Sequence, residues 1–309
     1  MRILVTGCRG QVAMSLIERG ALHNDIEILP LGRPDLDLAE TDTIAAAIMA
    51  AEPDAIISAA AHTAVDLAET ETEAAARING FAPGEIGRAA AVLGVPVVHL
   101  STDYVFDGSK PSPYVETDPV APLGVYGRTK LDGERLLAAA TGNHAILRTA
   151  WVYSPFSKNF LKTMLSLAVQ RKLLTVVGDQ VGNPTSALDI ADAAIAVARN
   201  LLFDSDPNMR GVFHMAGTGR ASWADFAAEI FAISRTFGGP SAEVNPIPTS
   251  GYPTPAKRPA NSQLDCTKLA EVHGVQLPDW KVSTKDVVRR TLAQEGGAGA
   301  LGRQSDGLT

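Results

Sequence analysis

Short apolar runs and longer amphipathic stretches alternate along the first half of the chain. Residues 2–6 form an apolar strand, followed by a glycine turn and a helical pattern through Leu16, Ile17 and Arg19. Residues 26–31 read as a second strand, 41–51 as a helix, 55–58 as a third strand, and 71–93 as one long helix carrying Asn79. A strand at 95–100, a helix at 125–140 and a strand at 144–148 complete the series. Apolar strands separated by helices predict an α/β fold, a Rossmann-like doubly wound parallel sheet, because strands covered on both faces need no polar side.

Beyond Arg148 the alternation loosens. A helix to about residue 170, a strand at 174–177 and a turn-rich loop at 178–186 precede a helix at 187–202. That helix and a strand at 211–215 are expected to return to the sheet. Ser222 and Asp225 have the spacing of a capping box. Residues 238–258 are rich in proline and glycine, and a last helical region includes Trp280. The expected organisation is a dinucleotide-binding unit over 1–150, joined by about 187–215. A smaller, interwoven substrate lobe covers 151–186 and 216–293. The glycine-rich segment 294–309 has no apolar period and is expected to be a flexible tail.

Composition narrows the function classes. The 309 residues are 46% hydrophobic and 20% charged, which suits a soluble chain with a substantial core. A net charge of -7 argues against nucleic acid or an anionic membrane as partner. An anionic substrate would then need a local basic pocket. The two cysteines, Cys8 and Cys266, make neither a disulfide framework nor a metal-ligand spacing, so no metal site and a cytoplasmic setting are expected. Cys8 is read as a small filler of its turn. The amino terminus enters a strand directly, without a signal-peptide pattern.

Two stretches carry candidate chemistry. Gly7-Cys8-Arg9-Gly10-Gln11-Val12-Ala13 lies between a strand and a helix. There glycines let backbone N–H groups approach a pyrophosphate, and the helix dipole favours the anion. Thr102 stands at or just past the end of the fourth strand, and Tyr126 and Lys130 are one helical turn apart. A bare tyrosine–lysine pair also fits a surface helix. Placed beside a threonine at the carboxyl edge of such a sheet, it suits proton transfer, the ammonium lowering the phenol's pKa. His62 is read as a loop histidine bonding to the backbone. After the second strand come Gly32 and Arg33 where an NAD-preferring fold commonly has a carboxylate. This leans toward NADPH, with NADH also possible; a solvated Arg33 is the alternative.

These stretches, with Ala61-His62-Thr63, the run 101–108, the run 148–153 and Arg258-Pro259, resemble the extended short-chain dehydrogenases/reductases over roughly residues 1–293. The closest likeness is to the branch that reduces the C4 keto group of a dTDP-linked deoxysugar. The resemblance implies an NAD(P)H-dependent oxidoreductase with Thr102, Tyr126 and Lys130 as catalytic residues, Tyr126 being the proton donor. Gly7, Gly10, Gln11 and Val12 would hold the cofactor pyrophosphate, Asp37 and Leu38 the adenine, and Ala61, His62 and Thr63 its path to the nicotinamide. Thr102, Asp103, Trp151, Asn159 and Arg258 would contact the dTDP-sugar nucleotide. For Trp151 core packing, and for Arg258 a surface salt bridge, are the alternatives. Some members of the family bridge a dimer with magnesium through carboxylates where this chain has Ser15 and Leu188, so a monomer or a metal-independent oligomer is expected. Two other readings stay open: a non-catalytic regulatory member of the fold, like the β subunit of methionine adenosyltransferase, and a reductase or epimerase of another deoxysugar nucleotide.

Overall fold

The computed structural model describes residues 1–302, with side-chain environments to Gln294. Five strands, β1 (Arg2–Thr6), β2 (Glu27–Leu31), β3 (Ala55–Ser58), β4 (Val97–Thr102) and β5 (His144–Thr149), form a parallel sheet with Gly211–His214 at its far edge. The order is β2, β1, β3, β4, β5, then Gly211–His214. Ile3, Leu4, Val5, Ile56, Ile57, Val97 and Val98 are wholly buried, which is why these strands are apolar throughout. On one face they meet the helices Gln11–Gly20 and Ala187–Phe203 through Leu16, Ile190 and Ala194. On the other they meet Thr41–Ala51, Ala82–Leu93 and Val125–Ala140 through Ile44, Ile86 and Leu137. β2 and β3 flank β1 on opposite sides, so the strand order reverses there and a crevice opens above the carboxyl ends.

The helix expected over 71–93 is interrupted. Thr72–Ala75 is α-helical, Ala76–Phe81 is a π-helix, and Ala82–Leu93 resumes the α-helix. Pro83 offers no N–H to the carbonyl of Asn79, and its ring crowds that carbonyl, so the regular ladder cannot run through this turn. The freed carbonyl lies against the Val125–Ala140 helix, where a Cβ on Gly133 would stand 2.0 Å from it.

A second apolar core, built from Tyr153, Leu165, Phe226, Phe231 and Val287, joins the helices Phe160–Ala168, Trp223–Thr236 and Trp280–Gly302. The Ser222–Asp225 capping box is formed, each residue's side chain accepting from the other's backbone N–H. The loop between Thr102 and Tyr126 is tied to this part of the chain. Tyr114 N–H donates to the Gln263 carbonyl at 2.8 Å, Asp265 N–H to the Tyr114 carbonyl at 2.8 Å, and the Asn261 amide to the Lys110 carbonyl at 2.7 Å. The helix Trp280–Gly302 runs into the segment expected to be a tail. Buried Trp280, Val287, Val288 and Thr291 anchor its start, and extending an anchored helix costs far less than nucleating one. Residues 303–309 of that segment lie outside the described residues. Among the described residues no helix is long and apolar enough to cross a membrane.

Candidate active site

β1 is followed by Gly7, whose φ of 87° is readily adopted only by glycine. The helix that follows starts at Gln11 with Gly10 as N-cap, no capping side chain and no acidic residue in its first turn. The N–H groups of Gln11, Val12 and Ala13 therefore have no partner within the helix. They face a cavity of about 780 Å³ that runs along the carboxyl ends of the strands. Gly7, Gly10, Gln11, Val12, Gly32, Arg33, Asp37, Leu38, Ala61 and Thr63 line one end. Arg9 and Lys158 line it too, and together with Arg33 they give an acidic protein a local positive field. Exposed helix N–H groups and three cations suit the phosphates of a dinucleotide. Asp35 is exposed and outside the cavity lining, whereas Asp37 lines the same end as Arg33.

Thr102, Asp103, Tyr126, Lys130 and Trp151 line the other end. Thr102 is the last residue of β4, and its hydroxyl donates to Asp103 Oδ1 at 3.0 Å. Burial pushes the Tyr126 phenol up to about 12, with the Thr102 hydroxyl opposing the shift. This corrects the expectation that Lys130 depresses it. The Lys130 ammonium instead donates to the Leu100 carbonyl at 2.6 Å and to His99 Nε2 at 3.3 Å, while burial pulls its pKa down to about 8 against the pull of Glu134. Glu134 lies one turn beyond Lys130 on the same helix face. It accepts from Ser101 and from Arg148 Nε and Nη2, the latter two at 3.0 and 2.7 Å.

Three residues expected in the site are outside the cavity lining. His62 bonds Glu71 at 2.9 Å and is held through its backbone by Asn79. Asn159 caps the helix Phe160–Ala168. Its Oδ1 accepts from Lys162 N–H, and its amide donates to the Ser154 and Phe156 carbonyls. Those bonds consume the amide group expected to contact the sugar nucleotide. Arg258 is paired with Asp66 at 2.8 Å and also bonds Thr254 and the Ala256 carbonyl, so its salt-bridge reading holds in this conformation.

Sequence reasoning missed His99, Glu134, Arg9, Lys158 and Trp223. The spacing of Glu134 from Lys130 was a readable signal for one of them. Arg9 lies within the glycine turn itself, while no local pattern marks His99 on β4, Lys158 or Trp223 at a helix start. Trp151 does two things at once. Its backbone sits in the left-handed region at φ 48°, a conformation that costs of order 1–3 kcal/mol in a residue with a side chain. Its indole lines the cavity and stacks on Trp223 at 3.6 Å with an interplanar angle of 6°.

Asp103 gives the site a pH signature. Its Oδ2 is buried without a partner, and burial raises the carboxyl from 3.8 to about 7. Folding therefore favours the protonated form. The stability this contributes is complete below the unfolded value and is lost as pH rises through about 7. Asp103→Asn is expected to remove that loss. Urea midpoints of wild type should fall relative to those of the variant between about pH 5 and pH 8. Parallel midpoints across that range would refute the assignment.

A parallel sheet with a dinucleotide-type turn at one end of its crevice and a threonine, tyrosine and lysine at the other defines a Rossmann-fold oxidoreductase of the short-chain dehydrogenase/reductase type. More narrowly, the chain belongs to the RmlD substrate binding domain family, whose model matches residues 1–293. It is 50% identical over 294 residues to a dTDP-4-dehydrorhamnose reductase of Sinorhizobium fredii, covering 95% of this chain and 99% of that one. The crystal structure of a dTDP-4-dehydrorhamnose reductase from Clostridium acetobutylicum superposes with a TM-score of 0.87 at 36% identity, covering 95% of this chain and 100% of that chain. The Bacillus anthracis dTDP-4-dehydrorhamnose reductase, solved in complex with NADP, gives 0.84 at 30% identity, covering 93% and 98%.

Proposed function

We propose that this protein reduces the C4 keto group of dTDP-4-dehydro-L-rhamnose to dTDP-L-rhamnose with NADPH, in the cytoplasm. One observation carries the reading: a single cavity joins the uncapped helix start at Gln11 to Thr102, Tyr126 and Lys130. The names of the relatives supply the substrate. NADPH, held at Gly7, Gly10, Gln11 and Val12, would supply hydride to the sugar's C4. Tyr126, with its pKa pushed up to about 12, is fully protonated at neutral pH and gives its proton to the carbonyl oxygen as charge develops there. Thr102 would reach the same oxygen only by turning its hydroxyl away from Asp103. Lys130, largely charged below its pKa of about 8, would bond the nicotinamide ribose. Residues 151–186 and 216–293 would carry the sugar nucleotide. Arg258 would meet its diphosphate only by leaving Asp66.

The test is NADPH oxidation with a panel of dTDP-4-keto sugars, the product's stereochemistry read by NMR. Protein that binds NADPH yet turns over none of them would overturn the enzyme reading in favour of a regulatory one. Turnover of a different sugar alone would move the substrate within the class.

Arg33 and Arg9 are proposed to face the 2′-phosphate of NADPH. Arg33→Ala should lower kcat/KM for NADPH about tenfold and leave NADH nearly unchanged, since only the former carries the charged phosphate. Equal losses with both cofactors, or a wild-type preference for NADH, would remove the arginine from the argument.

The proposed oligomeric state is a monomer or a metal-independent oligomer. Ser15 donates to the Gln11 carbonyl, and Asp189 accepts from Ser283 at 2.5 Å. Glu18 and Asp192 are engaged by Arg290 and Arg19. The mass in light scattering should not change with EDTA, and a dimer that EDTA dissociates and magnesium restores would refute this.

A further inference from the structure

Trp151 cannot hold its place unaided. It has a left-handed backbone at φ 48° and is half-buried at the mouth of an open cavity. Such a conformation persists only where the surroundings over-determine it. Two surroundings do so. On one side stands Gly182, where a Cβ would lie 2.6 Å from the Trp151 indole, so any larger residue would push the ring out. On the other stands Trp223, parallel to the ring at 3.6 Å.

Trp223 is itself fixed twice. It is the first residue of the helix Trp223–Thr236, whose start is pinned by the Ser222–Asp225 capping box. Its ring also packs on Phe160, centroid to centroid 4.6 Å, and Phe160 opens the helix that Asn159 caps. Two capped helix starts thus converge on one indole. The Asn159 amide, which the sequence pointed to as a ligand, serves the site at one remove.

We propose that Trp223 is a positioning residue. By stacking on Trp151, in the clearance left by Gly182, it fixes the wall against which the glycosyl part of the substrate is held, and so sets affinity for the sugar nucleotide and not the transfer step. This rests on the reductase reading above. Trp223 itself is absent from the cavity lining and acts through Trp151.

The test compares Trp223→Ala and Trp223→Phe with wild type, using NADPH and dTDP-4-dehydro-L-rhamnose. Trp223→Ala should raise KM for the sugar nucleotide about tenfold, with kcat and KM for NADPH within about threefold of wild type, the pattern of a lost binding contact. Trp223→Phe, which keeps a planar face, should restore KM to within about threefold. Should the alanine variant fail to fold, Trp223→Leu keeps apolar bulk, removes the plane and carries the same expectation.

A second readout needs no substrate. Two stacked indoles couple in circular dichroism, and the coupled band should vanish in all three variants. Acrylamide should quench Trp151 fluorescence more readily in Trp223→Ala than in Trp223→Phe. Unchanged KM in Trp223→Ala despite loss of the coupled band overturns the proposal, as does a fall in kcat matched by a rise in KM for NADPH. If wild type does not turn over this substrate, the reductase reading fails, while unchanged quenching in Trp223→Ala would show separately that Trp151 needs no clamp.

Discussion

Tyr126→Phe is expected to lower kcat by about 10²–10⁴-fold while leaving NADPH affinity close to wild type, because it removes one proton donor and little else. The phenol is buried and carries its proton at neutral pH, so it is poised as an acid. Its neighbours offer no ready substitute. Lys130 is turned to the Leu100 carbonyl, and the Thr102 hydroxyl is spent on Asp103. Single-turnover rates with saturating NADPH, alongside cofactor titration by fluorescence, separate the two effects. Near-normal turnover in the variant would place the donor elsewhere.

The second large effect is on stability. Arg148 and Glu134 have side chains only 5% and 4% exposed and are joined by two hydrogen bonds, with Ser101 on the same carboxylate. Glu134→Ala leaves a guanidinium buried without its counter-charge and is expected to cost about 3–5 kcal/mol. Replacing both, as Glu134→Leu with Arg148→Met, should recover most of that loss, since an apolar pair of similar volume avoids the desolvation cost. Urea midpoints of the two variants against wild type decide it. An alanine variant as stable as wild type would mean that water reaches Arg148.

The parallel sheet was legible because its strands are apolar on both faces, a pattern that survives without knowledge of neighbours. The glycine-turn end of the cavity was legible for a similar reason: Gly7, Gly10 and Gln11 shape it through a local turn. Tyr126 and Lys130 share a helix face, and Thr102 ends a strand, so their meeting followed from topology. What stayed hidden depends on tertiary contact. Nothing near Asn159 in the chain shows that its amide is consumed by its own loop. Nothing near Arg258 announces Asp66, and nothing near Lys130 announces His99. The π-helix at Ala76–Phe81 was within reach, since Pro83 cannot donate to Asn79, but an otherwise periodic run of alanines masked it.

The loop between Thr102 and Tyr126 is stitched to 261–265 by backbone hydrogen bonds, and Gly108 lies so close to Pro259 that a Cβ would meet it at 2.5 Å. The part proposed to carry the sugar nucleotide is thus not an interchangeable cartridge. A chimaera that imported another protein's residues 216–293 would sever those stitches unless it brought its own 107–115 along. The unit of exchange is a discontinuous one, two stretches of sequence that must travel together for the pocket to change and the sheet edge to stay intact.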